Sequence, residues 1–368
     1  MATAAIQPRS TSLSEKQLID KLLQLSLNPQ SAHACLPEVQ AMTADDREEF
    51  LRLADMHHVI IRALEPVAEA ATAVGDLELA RWAADAIANE RARVTNALTK
   101  LYEICNTLEA AGCPTTVMKS LDHFPDLGSD LDLYTTAPAD RVIFTMTGKL
   151  NAKLSARSWG DRIAQKWNFE VPSLPESVEI HVQRLGQMGE HQGLAQRFST
   201  RRVEKTVLGM SFQVPAPEER IIVATLQRMY RHFYFRVCDM VNSAAIVESG
   251  ALDFAELKRI TEQSGIWPGT SSYLMIVSDF VRKYRGRGLA LPVDVIQAAT
   301  CGGSVIDVRK SFLRVPIVSC GAPLYTQQIT KTSLNGNVPG TFRLALLPYL
   351  AAAAAVAYKV TGSDKGVW

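Results

Sequence analysis

The chain has 368 residues, 47% of them hydrophobic and 21% charged, with a formal net charge of +1 at pH 7. These proportions describe an ordinary globular protein with a sizeable core. Near-neutrality excludes an overall field that would draw the chain onto bulk nucleic acid or an anionic membrane.

Cys35, Cys105, Cys113, Cys238, Cys301 and Cys320 show neither a C-x-x-C pair nor a zinc spacing, and read as reduced thiols of a cytoplasmic protein. The first residues, Met1 to Pro8, lack the apolar centre of a signal peptide. Leu344 to Tyr358 is uncharged and Ala-rich but too short to span a membrane, and Pro348 interrupts it.

Residues 1–11 read as a loose tail. Ser12 followed by Glu15 has the pattern of a capping box, with Leu18, Ile19, Leu22 and Leu23 then repeating at helical spacing. A second helix is expected from Thr43 to about Ala63. Its adjacent His57 and His58 diverge around the helix, so they do not suit a shared metal. Asp76 to Ala111 reads as one long helix, ended by Gly112 and Pro114. The texture changes at residue 115. Short β-rich runs at 115–118, 130–134 and 178–182 surround a helix expected from Pro138 to about Leu154, and Arg162 to Val171 alternates irregularly. Helical signals return after Glu218. An apolar stripe runs from Ile221 toward Ile246, and further helices are expected at 253–263, 271–284 and 293–299. Residues 301–340, rich in glycine and proline, are the least legible.

The stretch that carries chemistry is Gly128-Ser129-Asp130-Leu131-Asp132-Leu133. Leucines alternate with aspartates at the period of a half-buried strand, so Asp130 and Asp132 project to one side. Paired carboxylates raise each other's pKa unless a cation lies between them. Such oxygen ligands suit Mg²⁺, which is held by one or two carboxylates together with substrate phosphates. Gly128 and Ser129 can offer backbone N–H groups and a hydroxyl to a phosphate. Glu179 and His181 leave the polar face of a later strand and supply a third acid and an imidazole. Lys119, at the end of the first strand, can reach a phosphate as a point charge. Arg236 and Asp239 share a helix face and read as an internal ion pair. Arg282, Lys283, Arg285 and Arg287 read as a solvated helix end. No P-loop and no complete dinucleotide fingerprint is present.

Together, Thr116-Val117-Met118-Lys119, Gly128-Ser129-Asp130-Leu131-Asp132-Leu133 and Val178-Glu179-Ile180-His181 resemble the polymerase-β-like nucleotidyltransferase superfamily. The closest likeness is to the bacterial "uncharacterised nucleotidyltransferase" family. Glu218-Glu219-Arg220 and Phe235 to Asp239 extend that likeness, which covers roughly residues 45–265.

The resemblance implies an α+β fold. A small mixed-sheet nucleotidyltransferase core over 113–215 would be flanked by all-α regions over 1–112 and 216–368. It implies a two-ion Mg²⁺ site on Asp130, Asp132 and Glu179, with Lys119, Gly128, Ser129 and His181 binding the nucleotide. An NTP such as ATP would be co-substrate, and a small hydroxylated molecule suits the acceptor better than RNA or protein. The usual glycine after the lysine is Ser120 here, and the third acid is Glu179 where Asp is commoner. Two other functions use the same residues. One is a non-catalytic descendant that binds a nucleotide or a partner, and the other is a metal phosphohydrolase.

Overall fold

The computed structural model describes residues 12–186 and 189–361. The expected tail at 1–11 lies outside them. Five helices come first: α1 (Glu15–Leu27), α2 (Ala32–Gln40), α3 (Ala44–Met56), α4 (Ile60–Ala73) and α5 (Leu77–Ala110). The capping box of α1 is formed by Ser14 and Gln17, not by Ser12 and Glu15. Ser12 instead donates its N–H and its hydroxyl to the Asp46 carboxylate, at 2.8 and 2.6 Å.

The helix expected to run on to Ala63 breaks after Met56. His58 there adopts φ 54°, and α4 begins anew at Ile60. A distant acid meets that new start: the buried Asp126 accepts the Ile61 N–H at 2.6 Å. Helix ends need such partners for their orphan N–H groups. Asp76 does the same locally for α5, accepting from Leu79 at 3.1 Å.

The middle of the chain builds a five-stranded mixed sheet in the order β1-β2-β5-β4-β3. Its strands are β1 (Thr115–Val117), β2 (Asp130–Thr135), β3 (Lys153–Leu154), β4 (Lys166–Glu170) and β5 (Ser177–Val182). Helices α6 (Ala139–Lys149) and α7 (Trp159–Ala164) lie within it in sequence. Next come α8 (Gln192–Thr200) and a separate hairpin of β6 (Arg202–Val207) and β7 (Met210–Pro215), none of which the sequence pattern announced. β2 and β5 pair in parallel, with Asp132 opposite Glu179 and Tyr134 opposite His181.

Because side chains alternate across a strand, this register sorts the sheet's two faces. Leu131, Leu133, Val178, Ile180 and Val182 join one hydrophobic core with Val94, Leu98 and Leu101 of α5. Burying each such side chain is worth about 1.5–3 kcal/mol. The acids and His181 are left on the opposite face, toward a second and larger core. That core contains Met118 and Tyr134 together with α1–α4 and the helices that follow the sheet.

Those helices are α9 (Pro217–Thr225), α10 (Val237–Glu248), α11 (Phe254–Gln263), α12 (Trp267–Arg285), α13 (Val293–Ala298), α14 (Ala322–Leu334) and α15 (Val338–Thr361). The stripe expected to run unbroken from Ile221 to Ile246 is divided. A π-turn over Leu226–Arg231 follows α9, and β8 (Tyr234–Phe235) then pairs with β10 (Phe312–Arg314), which also pairs with β9 (Asp307–Arg309). Asp239 does not pair with the Arg236 guanidinium. Its carboxylate accepts the Arg236 backbone N–H at 2.6 Å and pairs with Arg228 at 2.8 Å. The basic helix end is neutralised at the surface, where Arg282 meets Asp279, Lys283 meets Asp20 and Arg285 meets Glu248. Among the described residues no helix is long and apolar enough to cross a membrane.

His57 ties three parts of the chain together. Its Nδ1 accepts the Val237 N–H at 3.0 Å, so its Nε2 carries the proton and donates to the Ser311 carbonyl at 2.9 Å. Burial pushes its pKa down to about 3. A histidine neutral when folded and free to protonate when unfolded stabilises the fold above its unfolded pKa, near 6.5. That stability drains as pH falls from there toward 3. In His57→Gln, the slope of unfolding free energy against pH between 6 and 4 should therefore fall by about one proton, roughly 1.4 kcal/mol per pH unit. Urea titrations at stepped pH measure it, and an unchanged slope would assign the acid sensitivity to other groups.

Candidate metal centre

The candidate site lies on the acid-bearing face of the β2–β5 pair. Asp132, Glu179 and His181 bring three ligand atoms within 4.8 Å of one another. His181 Nε2 is 2.8 Å from Glu179 Oε1 and 4.0 Å from Asp132 Oδ1. Asp130, one turn of the pleat earlier, is on the same face but 37% exposed, whereas the Asp132 side chain is 1% exposed. The structure thus gathers His181 with two acids into one compact triad and leaves Asp130 at its open rim.

Two lysines stand against these acids. Lys119 Nζ is 3.0 Å from Asp132 Oδ2 and 3.8 Å from Asp130 Oδ2. Lys166, which sits across from His181 on β4, donates to Glu179 Oε1 at 2.6 Å and is nearly fully buried. Its role went unread in the sequence. The one available signal was a lysine flanked by Gln165 and Trp167, at the start of a run with irregular alternation.

The electrostatics follow from this arrangement. Burial, with the charges of Asp130 and Glu179, pushes the Asp132 carboxyl up to about 7 against the pull of Lys119. Burial would also raise Glu179, but Lys166 and the His181 hydrogen bond outweigh it and hold the group well below the ordinary carboxylate range. Burial and the neighbouring Lys166 lower His181. The imidazole is therefore neutral, with the Nε2 proton donated to Glu179 Oε1 and Nδ1 left unpaired; ligation through Nε2 would require that proton to leave it. Burial disfavours the Lys119 charge, yet Asp130, Asp132 and Glu179 more than restore it and its pKa is raised.

The residues fit a divalent cation. Both Asp132 oxygens are buried without an aligned hydrogen-bond donor, as is His181 Nδ1. Buried polar atoms left in that condition are costly unless something else meets them. Two carboxylates and an imidazole form a donor set for a divalent metal. Asp132, Glu179 and His181 would hold it.

Gly128 and Ser129 lead into β2 and line a cleft of about 430 Å³ with His58, Arg93 and Arg236. Arg93 braces this loop, donating to the carbonyls of Leu127 at 2.9 Å and Gly128 at 3.2 Å, and to Glu176 at 2.6 Å. His57 and His58 do part company, since His58 meets the His123 ring at a tilt, with centroids 5.3 Å apart.

No protein-family model, curated protein or solved structure matches the chain. What speaks for its chemistry is the site itself: an α+β protein with a buried acid–imidazole cluster able to coordinate a metal.

Ser120 resolves how the chain manages without the glycine expected after Lys119. Its hydroxyl accepts the Asp132 N–H at 2.9 Å and donates toward the Asp130 carbonyl at 3.4 Å, pinning the acid-bearing strand. Both Ser120→Ala and Ser120→Gly should destabilise the protein by about 1–3 kcal/mol, because each leaves a buried N–H unpaired. Denaturant unfolding measures the loss. A glycine variant as stable as wild type would show that the hydroxyl does not brace the strand.

Proposed function

We propose that the protein is a metal-dependent nucleotidyltransferase of the polymerase-β-like kind, moving NMP from an NTP to an acceptor hydroxyl with release of pyrophosphate. The observation that carries the reading is the buried Asp132–Glu179–His181 cluster with its unsatisfied Asp132 oxygens, built across β5 and the strand β2 that Gly128 and Ser129 introduce.

In this reading Gly128 and Ser129 take the nucleotide phosphates, and Lys119 adds its charge to them. Mg²⁺ held at the acids, as a pair if Asp130 joins Asp132 and Glu179, would neutralise the triphosphate and make the acceptor hydroxyl more acidic. Asp130, the most open of the acids, receives the hydroxyl proton. The acceptor oxygen bonds to the α-phosphorus as the bond to pyrophosphate breaks. Lys166 keeps Glu179 ionised throughout.

One observation favours a second reading, a non-catalytic descendant that binds a nucleotide or a partner. Lys119 and Lys166 already neutralise Asp132 and Glu179 at 3.0 and 2.6 Å, so the acids are not without counter-charge when no cation is bound. A metal phosphohydrolase would use the same acids without consuming NTP.

Purified protein incubated with each NTP, Mg²⁺ and a cell extract as acceptor source should release pyrophosphate with one NTP only. EDTA, Asp132→Asn and Asp130→Asn should each lower that release at least about a hundredfold while the circular dichroism spectrum is kept. Tight Mg²⁺-dependent NTP binding without turnover would instead select the binding protein. Release of nucleotide from a phosphoester without NTP would select the hydrolase.

A further inference from the structure

A cavity of about 60 Å³ adjoins the cluster at His181 and does not include Gly128 or Ser129 among its lining residues. That is room for roughly four waters, and so for a small organic body. Its walls are mainly apolar: Met118, Leu185, Val223, Leu226 and Leu347. They come from the sheet, from the segment after β5, from α9 with its π-turn, and from α15.

One cation faces this apolar space. Arg231 ends the π-turn and lines the cavity. Among the described residues its guanidinium makes no hydrogen bond or ion pair, and its charge acts at longer range on Glu179, helping to hold that carboxyl down. Its neighbour Arg228, three residues earlier, is by contrast paired with Asp239 at 2.8 Å. Glu190, a carboxylate that also lines the cavity, lies 3.5 Å from His191. A half-buried guanidinium against apolar walls calls for an anion, and its planar fork matches a carboxylate through two parallel bonds. π-turns are frequent at functional sites because they displace one side chain from the regular helical path.

We propose that this cavity is the acceptor site, and that the acceptor is a small hydroxy-carboxylic acid. Its carboxylate pairs with Arg231, its apolar body lies among Val223, Leu226 and Leu347, and its hydroxyl faces the cluster at His181. The proposal rests on the nucleotidyltransferase reading for the fate of the hydroxyl but not for the binding. The nucleotide phosphates and the acceptor then approach the acids from different openings, one lined by Ser129 and the other by Arg231.

The test is calorimetric titration of the full chain with lactate, 3-hydroxybutyrate and 4-hydroxybenzoate, each beside its methyl ester, without nucleotide. At least one acid should bind, with its ester about tenfold weaker or worse. Arg231→Gln should weaken the acid to the level of the ester, Arg231→Lys should keep only part of the binding because it holds the charge but not the fork, and Val223→Trp should abolish it by filling the space. Three results would overturn the site: no acid binds, acid and ester bind alike, or Arg231→Gln weakens NTP while leaving the acid unchanged. The two readings separate cleanly. An acid that binds through Arg231 but draws no pyrophosphate from any NTP supports the cavity and counts against nucleotidyl transfer. Extract-dependent pyrophosphate release that survives intact in Arg231→Gln supports transfer and removes Arg231 from the acceptor site.

Discussion

The parallel pairing of β2 with β5 is the constraint on which the rest depends. It sets Asp132 beside Glu179 and Tyr134 beside His181, so that two acids and an imidazole share one face while the leucines, valines and isoleucine share the other. A slip of one residue would bury the acids against α5 and turn the apolar side chains onto the polar face. The hydrophobic face therefore fixes the register, and the register assembles the polar cluster. The apolar burial that holds the sheet together and the chemistry it presents are two consequences of one alignment.

Clustered carboxylates inside a protein must be neutralised. Two of the countercharges come from strands on either side: Lys119 follows β1, and Lys166 opens β4. Lys119 meets Asp132 and Asp130, Lys166 meets Glu179, and neither completes the hydrogen bonding of Asp132. The cluster is thus stable enough to fold but still has unmet demand for a cation. Removing either lysine would leave a buried charge uncompensated, which is far more costly than never having built the pair.

The helical body does more than cover this face. His57, Asp126 and Arg93 connect the N-terminal helices to the loops and strands around the cluster, through bonds to Val237, Ile61 and Gly128. The break between α3 and α4, where a continuous helix was expected, frees the His57 side chain for its two distant partners. In the same way, the π-turn and β8 interrupt what reads as one long apolar stripe, and they bring Arg231 to the cavity at His181.

Local pattern alone determined a good deal. The strict alternation in Asp130–Tyr134 and Val178–Val182 specified two strands with acids on one side, and glycine and proline after Ala111 ended the long helix. Lys119, Gly128, Ser129 and His181 were legible because they sit within or beside those strands. Tertiary structure decided the rest, because it depends on partners distant in sequence. Lys166 gains its meaning only from the strand opposite, Ser120 only from the Asp132 N–H twelve residues on, and Arg231 only from the cavity to which the π-turn brings it. The sequence could state which side of a strand a carboxylate leaves. Only packing could state that Asp132 is buried, that Asp130 is not, and that His181 completes the cluster, since burial and countercharge belong to the assembled surroundings of a residue and not to its neighbours along the chain.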